Sequence, residues 1–157
     1  MTHALTGVRA IVTGGASGMG AGIVRAYAAH GAAVMSLDLQ AGPGAEIAEK
    51  ATAAGPGSAA FITADVAEKA SVDAAFAAAT EALGGLDVLV HAAGIAPGAP
   101  AEAIAVEDWD HVFAVNARGT FLANQAAFRY LSESGGRIIN FASSAGVIGL
   151  RNKAHYS

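Results

Sequence analysis

Between Thr13 and Gly20 the chain reads Thr-Gly-Gly-Ala-Ser-Gly-Met-Gly, with Gly14, Gly18 and Gly20 in the spacing G-x-x-x-G-x-G. Eighteen residues beyond Gly20 stands a carboxylate, Asp38. Glycines so spaced can hold a diphosphate. Gly14 permits a tight turn, Gly18 lets backbone approach the phosphates, and Gly20 lets a following helix pack closely. The start of that helix offers unpaired N–H groups and a partial positive charge to the phosphates. Asp38 can accept hydrogen bonds from both hydroxyls of an adenine ribose and would repel a 2′-phosphate. Ser17, Met19, Leu39 and Gln40 bring no positive charge to that corner, which favours NAD(H) over NADP(H). The plainer alternatives are an ordinary glycine-rich turn and a solvated carboxylate at a strand end. A P-loop is excluded because no Gly-Lys-Ser/Thr follows. A nucleophile elbow is excluded because Ser17 is not framed as G-x-S-x-G.

Such a turn needs a strand before it and a helix after it. Arg9 to Thr13 is a short apolar run rich in β-branched residues. After the glycines, Ile23, Ala26, Tyr27 and His30 recur at helical spacing up to a stop at Gly31. The rhythm then repeats. Ala33 to Leu39, Ala59 to Thr63, Leu86 to His91 and Gly136 to Ala142 are the further expected strands. Ala45 to Ala54, Ser71 to Leu83 and a long stretch from Val106 to Ser132 are the expected helices. Continuous apolar strands suit a sheet buried on both faces, and their alternation with helices suits right-handed βαβ units. The expected fold is therefore α/β, a doubly wound parallel sheet of Rossmann type, in one domain over residues 1–157. An antiparallel α+β fold lacks its hairpin signals, since no Asn-Gly turn is present.

Composition narrows the function classes. Of the 157 residues, 54% are apolar and 14% charged, which excludes a disordered chain. A net charge of −4 leaves no basic footprint for nucleic acid or an anionic membrane. Cysteine is absent, so disulfides, thiol nucleophiles and thiolate metal sites are absent too. The five histidines (His3, His30, His91, His111 and His155) show no metal-ligand spacing, and no metal is expected. The first nine residues contain no apolar core of a secretory signal, and no apolar run reaches the roughly 18 residues of a membrane span. The expected location is cytoplasmic.

Five more segments follow the glycine turn in order: Asp65-Val66, His91-Ala92-Ala93-Gly94, Val115-Asn116-Ala117-Arg118-Gly119-Thr120-Phe121, Asn140-Phe141-Ala142-Ser143-Ser144-Ala145-Gly146, and Tyr156-Ser157. With them the chain resembles the short-chain dehydrogenase/reductase family of the non-extended type, over the N-terminal part of its usual length. The resemblance implies a nicotinamide dinucleotide cofactor, NAD by the Asp38 argument. Its contacts would be Gly14, Ala16, Ser17, Gly18, Met19 and Gly20 in the turn, and Asp38 and Leu39 after the second strand. Asp65 and Val66 would hold the adenine, and Ala92, Ala93 and Gly94 would lie along the fourth strand's end. The family usually reads Asn-Asn-Ala-Gly at that last place. Here His91 and Ala92 replace both asparagines, which removes side-chain hydrogen bonds that steady the sheet there.

The resemblance also supplies the expected catalytic residues. The family's serine lies thirteen residues before its tyrosine and three after a strand asparagine, and Ser143 meets both conditions where Ser144 meets neither. Ser143 would hold the substrate oxygen. Tyr156 would be the general acid/base in interconverting a secondary alcohol and a ketone. A free tyrosine titrates near pH 10, so proton transfer near neutrality needs about 4 kcal/mol of phenolate stabilisation. Asn116, expected on a helical face with Trp109, Phe113 and Thr120, would hold a water in a proton relay. Each has a plainer alternative: a strand-end cap for Ser143, a backbone-satisfied amide for Asn116, a frayed terminal residue for Tyr156. The family's Tyr-x-x-x-Lys lysine falls beyond Ser157. The chain is thus expected to be C-terminally incomplete, part of a longer enzyme that forms a homo-oligomer (tetramer or dimer), and a poor catalyst or inactive by itself.

Two rival functions differ in class. One is a non-catalytic dinucleotide-binding or redox-sensing module. The other is a sugar-nucleotide epimerase, whose G-x-x-G-x-x-G spacing is not found here. The expected partner is a small alcohol or ketone, and Ile95, Val147, Ile148 and Leu150 hint at an apolar pocket for it. Arg151, Lys153 and His155 are expected on a solvated surface loop.

Overall fold

The computed structural model describes residues 4–131 and 135–157. Five apolar runs become strands: Arg9–Thr13 (β1), Ala33–Asp38 (β2), Ser58–Thr63 (β3), Val88–His91 (β4) and Arg137–Asn140 (β5). They pair in the order β3-β2-β1-β4-β5, every pair parallel. The expected doubly wound α/β sheet is the observed fold. Ile11 faces Met35 and Leu89 in register, and Thr13 faces Leu37 and His91, so the C-terminal ends of β1, β2 and β4 finish level with one another.

The helices are Gly18–Ala29 (α1), Ala41–Ala54 (α2), Lys69–Leu83 (α3), Val106–Phe113 (α4), Gly119–Leu131 (α5) and Ala145–Ile148 (α6). One core lies between the sheet and α3 with α5, around Phe76, Leu89, Leu122 and Ala123. A second joins the other face to α1 and α2, around Val12, Val24, Val34 and Val90. A small third cluster of Val66, Ala67 and Val115 sits near the C-terminal strand ends. Burial on both faces explains the continuous apolar sequences of the inner strands. On the edge strand β5, Ile138 packs inward while Ile139 is exposed. At the opposite end of the sheet, Asp87 accepts hydrogen bonds from the Arg9 N–H at 2.8 Å, Nε at 2.9 Å and Nη2 at 2.7 Å. This fastens β1 to the start of β4.

Several elements depart from expectation. The buried face of α1 is Gly20, Ala21, Val24 and Ala28, while Ala26 and His30 are exposed. Close approach to the sheet puts small residues nearest it, while Ile23 and Tyr27 of the stripe pack part-buried beside them. His30 ends the helix, its Nδ1 2.8 Å from the Ala26 carbonyl oxygen. Helix α2 begins at Ala41 rather than Ala45, because Pro43 falls in the first turn, where its missing N–H leaves no intrahelical bond broken. Helix α3 begins at Lys69 rather than Ser71. The long expected helix is two, joined by a wide π-helical turn over Ala114–Arg118, and its expected end at Ser132 lies outside the described residues. Strands β2, β4 and β5 are shorter than expected: Leu39, Phe141 and Ala142 leave their strands at the cleft end, and Leu86, Asp87 and Gly136 precede them at the opposite end. No helix among the described residues is long and apolar enough to cross a membrane.

Candidate functional site

The site begins at the turn between β1 and α1. Gly14 has φ +70°, and a Cβ there would stand 2.7 Å from the Ala93 nitrogen. A Cβ on Gly20 would stand 2.1 Å from the Gly14 carbonyl oxygen, so its close contact is with the turn itself rather than with a strand. Gly18 has φ +50° with open space above it, a gap that a ligand can enter. The Ser17 side chain makes no cap bond, which leaves the first N–H groups of α1 free to meet an anion. Gly15 donates its N–H to the Leu37 carbonyl at 3.3 Å, tying the turn to β2.

Asp38 ends β2 beside this turn. One carboxylate oxygen accepts the Ala16 N–H at 3.0 Å and the other accepts the Gln40 N–H at 3.0 Å. Each oxygen keeps a further lone pair for a ligand hydroxyl. Asp38 and its flanking residues form the rim of a cavity of about 430 Å³. Gly14, Ser17, Gly18, Met19 and Gly20 line it on the turn side, and Leu39 with Asp38 on the β2 side. Asp65 and Val66 close one end, and Ala92, Ala93 and Gly94 the other. Ala16 is the exception among the expected contacts. It is buried outside the lining, and its N–H goes to Asp38. Asp65 is shaped for its place by an Asx turn, its Oδ1 accepting the Ala67 N–H at 2.8 Å.

Gln40, Ala64, Ile95, His111 and Val115 also line this cavity and were not expected as contacts. Val115 precedes Asn116 in the motif quoted above and had a signal in that neighbour. His111 had none, since its approach depends on how α4 crosses the strand ends.

A second cavity of about 440 Å³ continues from the first, sharing Met19 and the Ala92–Ile95 stretch. It brings together Asn116 from the wide turn with Ser143 and Tyr156 from the segment after β5, and with Thr120, Phe141 and Gly146. Ser143 lies in the loop beyond β5 rather than on the strand. Its hydroxyl accepts the Ala145 N–H at 3.2 Å, so capping and cavity lining coexist. Tyr156 is half-buried, and its N–H bonds the Lys153 carbonyl at 2.8 Å.

Asn116 belongs to the wide turn, and its amide uses one acceptor and one donor on a single residue. Oδ1 accepts the Ile95 N–H and Nδ2 donates to the Ile95 carbonyl, both at 2.8 Å. Its side chain is therefore a brace between the turn and the post-β4 loop. Its own carbonyl accepts the Thr120 hydroxyl at 2.6 Å. Trp109 and Phe113 do not join it. They stack on each other, 5.0 Å between ring centroids, and are exposed.

Of the expected apolar pocket residues, Ile95 lines both cavities, whereas Val147, Ile148 and Leu150 face outward. The post-β5 loop closes back on the post-β4 loop. The Lys153 ammonium donates to the Ala96 carbonyl, and the Ala99 N–H donates to Asn152 at 3.0 Å. His155 is 4% exposed, which corrects its placement as a solvated loop residue. His91 replaces the lost asparagine bonds with one of its own, Nδ1 to Thr13 Oγ1 at 2.8 Å. Burial pushes its imidazole down to about 4. Among the described residues no group of side chains could hold a metal ion.

The residues present fit a dinucleotide: an open glycine turn at a helix start, a carboxylate at the rim, and a cavity leading to a hydroxyl, a phenol and an amide. Comparison with known proteins agrees. The family model for short chain dehydrogenases matches residues 9–157. D-threitol dehydrogenase of Mycolicibacterium smegmatis is 43% identical over 97% of this chain and 58% of its own length. L-2,3-butanediol dehydrogenase of Corynebacterium glutamicum is 42% identical over 94% of this chain and 58% of its own. The crystal structure of a dehydrogenase/reductase from Sinorhizobium meliloti superposes with a TM-score of 0.91 at 39% identity, covering 99% of this chain and 62% of that one. The chain thus spans about three-fifths of the length of the relatives it matches. Over that span the fold coincides, and the chain belongs to the short-chain dehydrogenase/reductase family.

Proposed function

We propose that this chain forms the cofactor site and catalytic cluster of an NAD(H)-dependent oxidoreductase that interconverts a small secondary alcohol, of diol or polyol type, with its ketone. The observation that carries this is the continuity of the two cavities. A dinucleotide lying along Asp38, the glycine turn and Ala92–Gly94 reaches the cavity of Ser143 and Tyr156 through the stretch common to both. When bound, the nicotinamide supplies the hydride acceptor or donor. Ser143 Oγ holds the substrate oxygen. The Tyr156 phenol gives a proton to that oxygen in reduction, and its phenolate takes one from it in oxidation. Asn116 fixes Ile95 at the junction of the two cavities. Two relatives are named for a tetritol and for 2,3-butanediol, small molecules with neighbouring hydroxyls, and a cavity of about 440 Å³ suits that size.

NAD is preferred over NADP because the Asp38 carboxylate, already oriented by two N–H groups, accepts from ribose hydroxyls and repels a 2′-phosphate. The protein assembles as a homo-oligomer. Val106, Trp109, Phe113, Phe121 and Phe128 along α4 and α5 are 43–70% exposed, more apolar surface than a monomer usually presents.

Calorimetric titration with NADH and NADPH tests the cofactor assignment. NADH is expected to bind the more tightly, and Asp38→Ala to narrow the difference by weakening NADH. Tighter binding of NADPH refutes it. In the longer protein that the relatives' lengths suggest, Ser143→Ala and Tyr156→Phe are expected to abolish diol oxidation while NADH binding persists. Unchanged turnover in both refutes the catalytic roles.

A further inference from the structure

His91 ends β4 and is 3% exposed. Its Nδ1 lies 2.8 Å from Thr13 Oγ1, across the directly paired ends of β1 and β4. The same oxygen accepts the Ala93 N–H at 3.3 Å. A threonine hydroxyl has one proton and two acceptor lone pairs. With the Ala93 N–H on one lone pair, the hydroxyl proton has Nδ1 as its partner. Nδ1 is then the acceptor, and the neutral imidazole carries its proton on Nε2. The opposite tautomer would direct Nδ1–H at Thr13 and leave the buried hydroxyl proton without an acceptor, which is costly.

Nε2 is buried and has no hydrogen-bond partner among the described residues. An unpaired buried N–H lowers stability, and a leucine in this place would remove it while freeing the Thr13 hydroxyl proton, an exchange close to even. Core stability therefore does not explain an imidazole here, whereas the bond to Thr13 does. That bond acts on the stretch that matters. Ala92–Gly94 lines both cavities, and Gly14 approaches Ala93 so closely that a Cβ would not fit between them.

We propose that His91 is a positioning residue for the bound cofactor: as the Nε2–H tautomer its Nδ1 accepts a hydrogen bond from the Thr13 hydroxyl and so turns the Thr13 lone pair onto Ala93 N–H, fixing Ala92–Gly94 against the glycine turn. This rests on the NAD(H) assignment above. It also explains how the site tolerates the loss of both asparagines of the usual motif. The imidazole, pushed down to about 4 by burial, stays neutral throughout the neutral range.

The test compares wild type, His91→Leu, His91→Asn and Thr13→Val, each checked for folding by circular dichroism, in NADH titrations at neutral pH. His91→Leu is expected to melt close to wild type, one unpaired group replacing another, yet bind NADH about tenfold more weakly, about 1.4 kcal/mol. Thr13→Val is expected to show the same loss and serves as the second arm should His91→Leu fail to fold. His91→Asn, with an amide oxygen for the Thr13 proton, is expected to recover most of the affinity. Nitrogen-15 NMR of the free protein is expected to find His91 protonated on Nε2 and bare on Nδ1. NADH affinity unchanged in both His91→Leu and Thr13→Val, or a proton on Nδ1, overturns the proposal and leaves the cofactor assignment standing. Failure of wild type itself to bind NADH overturns both, and the NMR result still reports on the tautomer.

Discussion

Replacing Asn116 with alanine separates its role as a brace from a role in holding water. The wild-type amide makes two hydrogen bonds of 2.8 Å to one residue, Ile95, with donor and acceptor both used. Alanine removes both and leaves the Ile95 N–H and carbonyl to find water. These groups are only part-buried, so the ordinary net value of about 1 kcal/mol per bond applies rather than the larger penalty of an orphaned buried group. The total is about 2 kcal/mol. For a chain of this size each kcal/mol shifts the melting temperature by about 2–4 °C, so Asn116→Ala should melt about 4–8 °C lower. Asn116→Asp keeps an acceptor for the Ile95 N–H and sets a second oxygen against the Ile95 carbonyl, so it should recover no more than half. Thermal denaturation followed by circular dichroism reads both, and NADH titration shows whether loosening Ile95 reaches the cofactor cavity. Should Asn116→Ala melt within 1 °C of wild type while Ser143→Ala does the same, the amide bonds contribute nothing and the brace is refuted.

Gly20→Ala would set a methyl 2.1 Å from the Gly14 carbonyl oxygen, and the backbone there cannot give way without opening the turn. A loss of about 1–3 kcal/mol in urea denaturation is expected, with weakened NADH binding; a wild-type denaturation curve would refute the contact. Asp87, held below the usual carboxylate range chiefly by its hydrogen bond with Arg9, should matter to stability as a function of pH. The native state binds fewer protons than the unfolded chain near the carboxylate range, so the contribution is present above about pH 4 and fades as pH falls through the depressed native value. Asp87→Asn should therefore cost about 1 kcal/mol at pH 7, the pair being one-third exposed, and the gap from wild type should close below pH 4. A constant gap from pH 7 to pH 3 contradicts the ion pair.

The glycine turn, Asp38 and the five strands were legible because each is dictated locally. A turn that admits a phosphate needs glycine, and a strand buried on both faces needs an unbroken apolar run. Start points of helices were less legible. Pro43 reads as a breaker in sequence, yet in a first turn it is harmless. The stripe of Ile23, Ala26, Tyr27 and His30 located the helix, but the face closest to the sheet, Gly20, Ala21, Val24 and Ala28, includes small residues that carry little hydrophobic signal. The wide turn at Ala114–Arg118 was not legible, because its cause is tertiary: the loop after β4 presents one N–H and one carbonyl to Asn116. His155 failed for the same reason, since burial of a loop residue depends on what folds over it.

The glycines after β1 and the small residues after β4, side by side at the same end of the sheet, form a single adaptation. From β1 the chain turns through α1 to β2 on one side of the sheet, and α5, following β4, packs on the other. The two connections diverge between β1 and β4, and a crevice opens where they part. Both loops that leave this point, 14–17 and 92–95, must then run side by side beneath whatever fills the crevice. A Cβ on Gly14 would strike Ala92 and Ala93, so no side chain can stand between the loops. Ala92 and Ala93 keep the facing loop low enough for a flat ligand to lie across both. Polar tethering comes from the strand ends beneath the loops, from Thr13 and from His91, which also lines the second cavity. Exchange of asparagine for histidine at that position is thus compatible with the site, whereas exchange of Ala93 for any larger residue is not. Ala93→Leu should fold, because its side chain can extend into the cavity, and should exclude NADH. Retention of NADH affinity by that variant would show that the ligand path does not cross the paired loops.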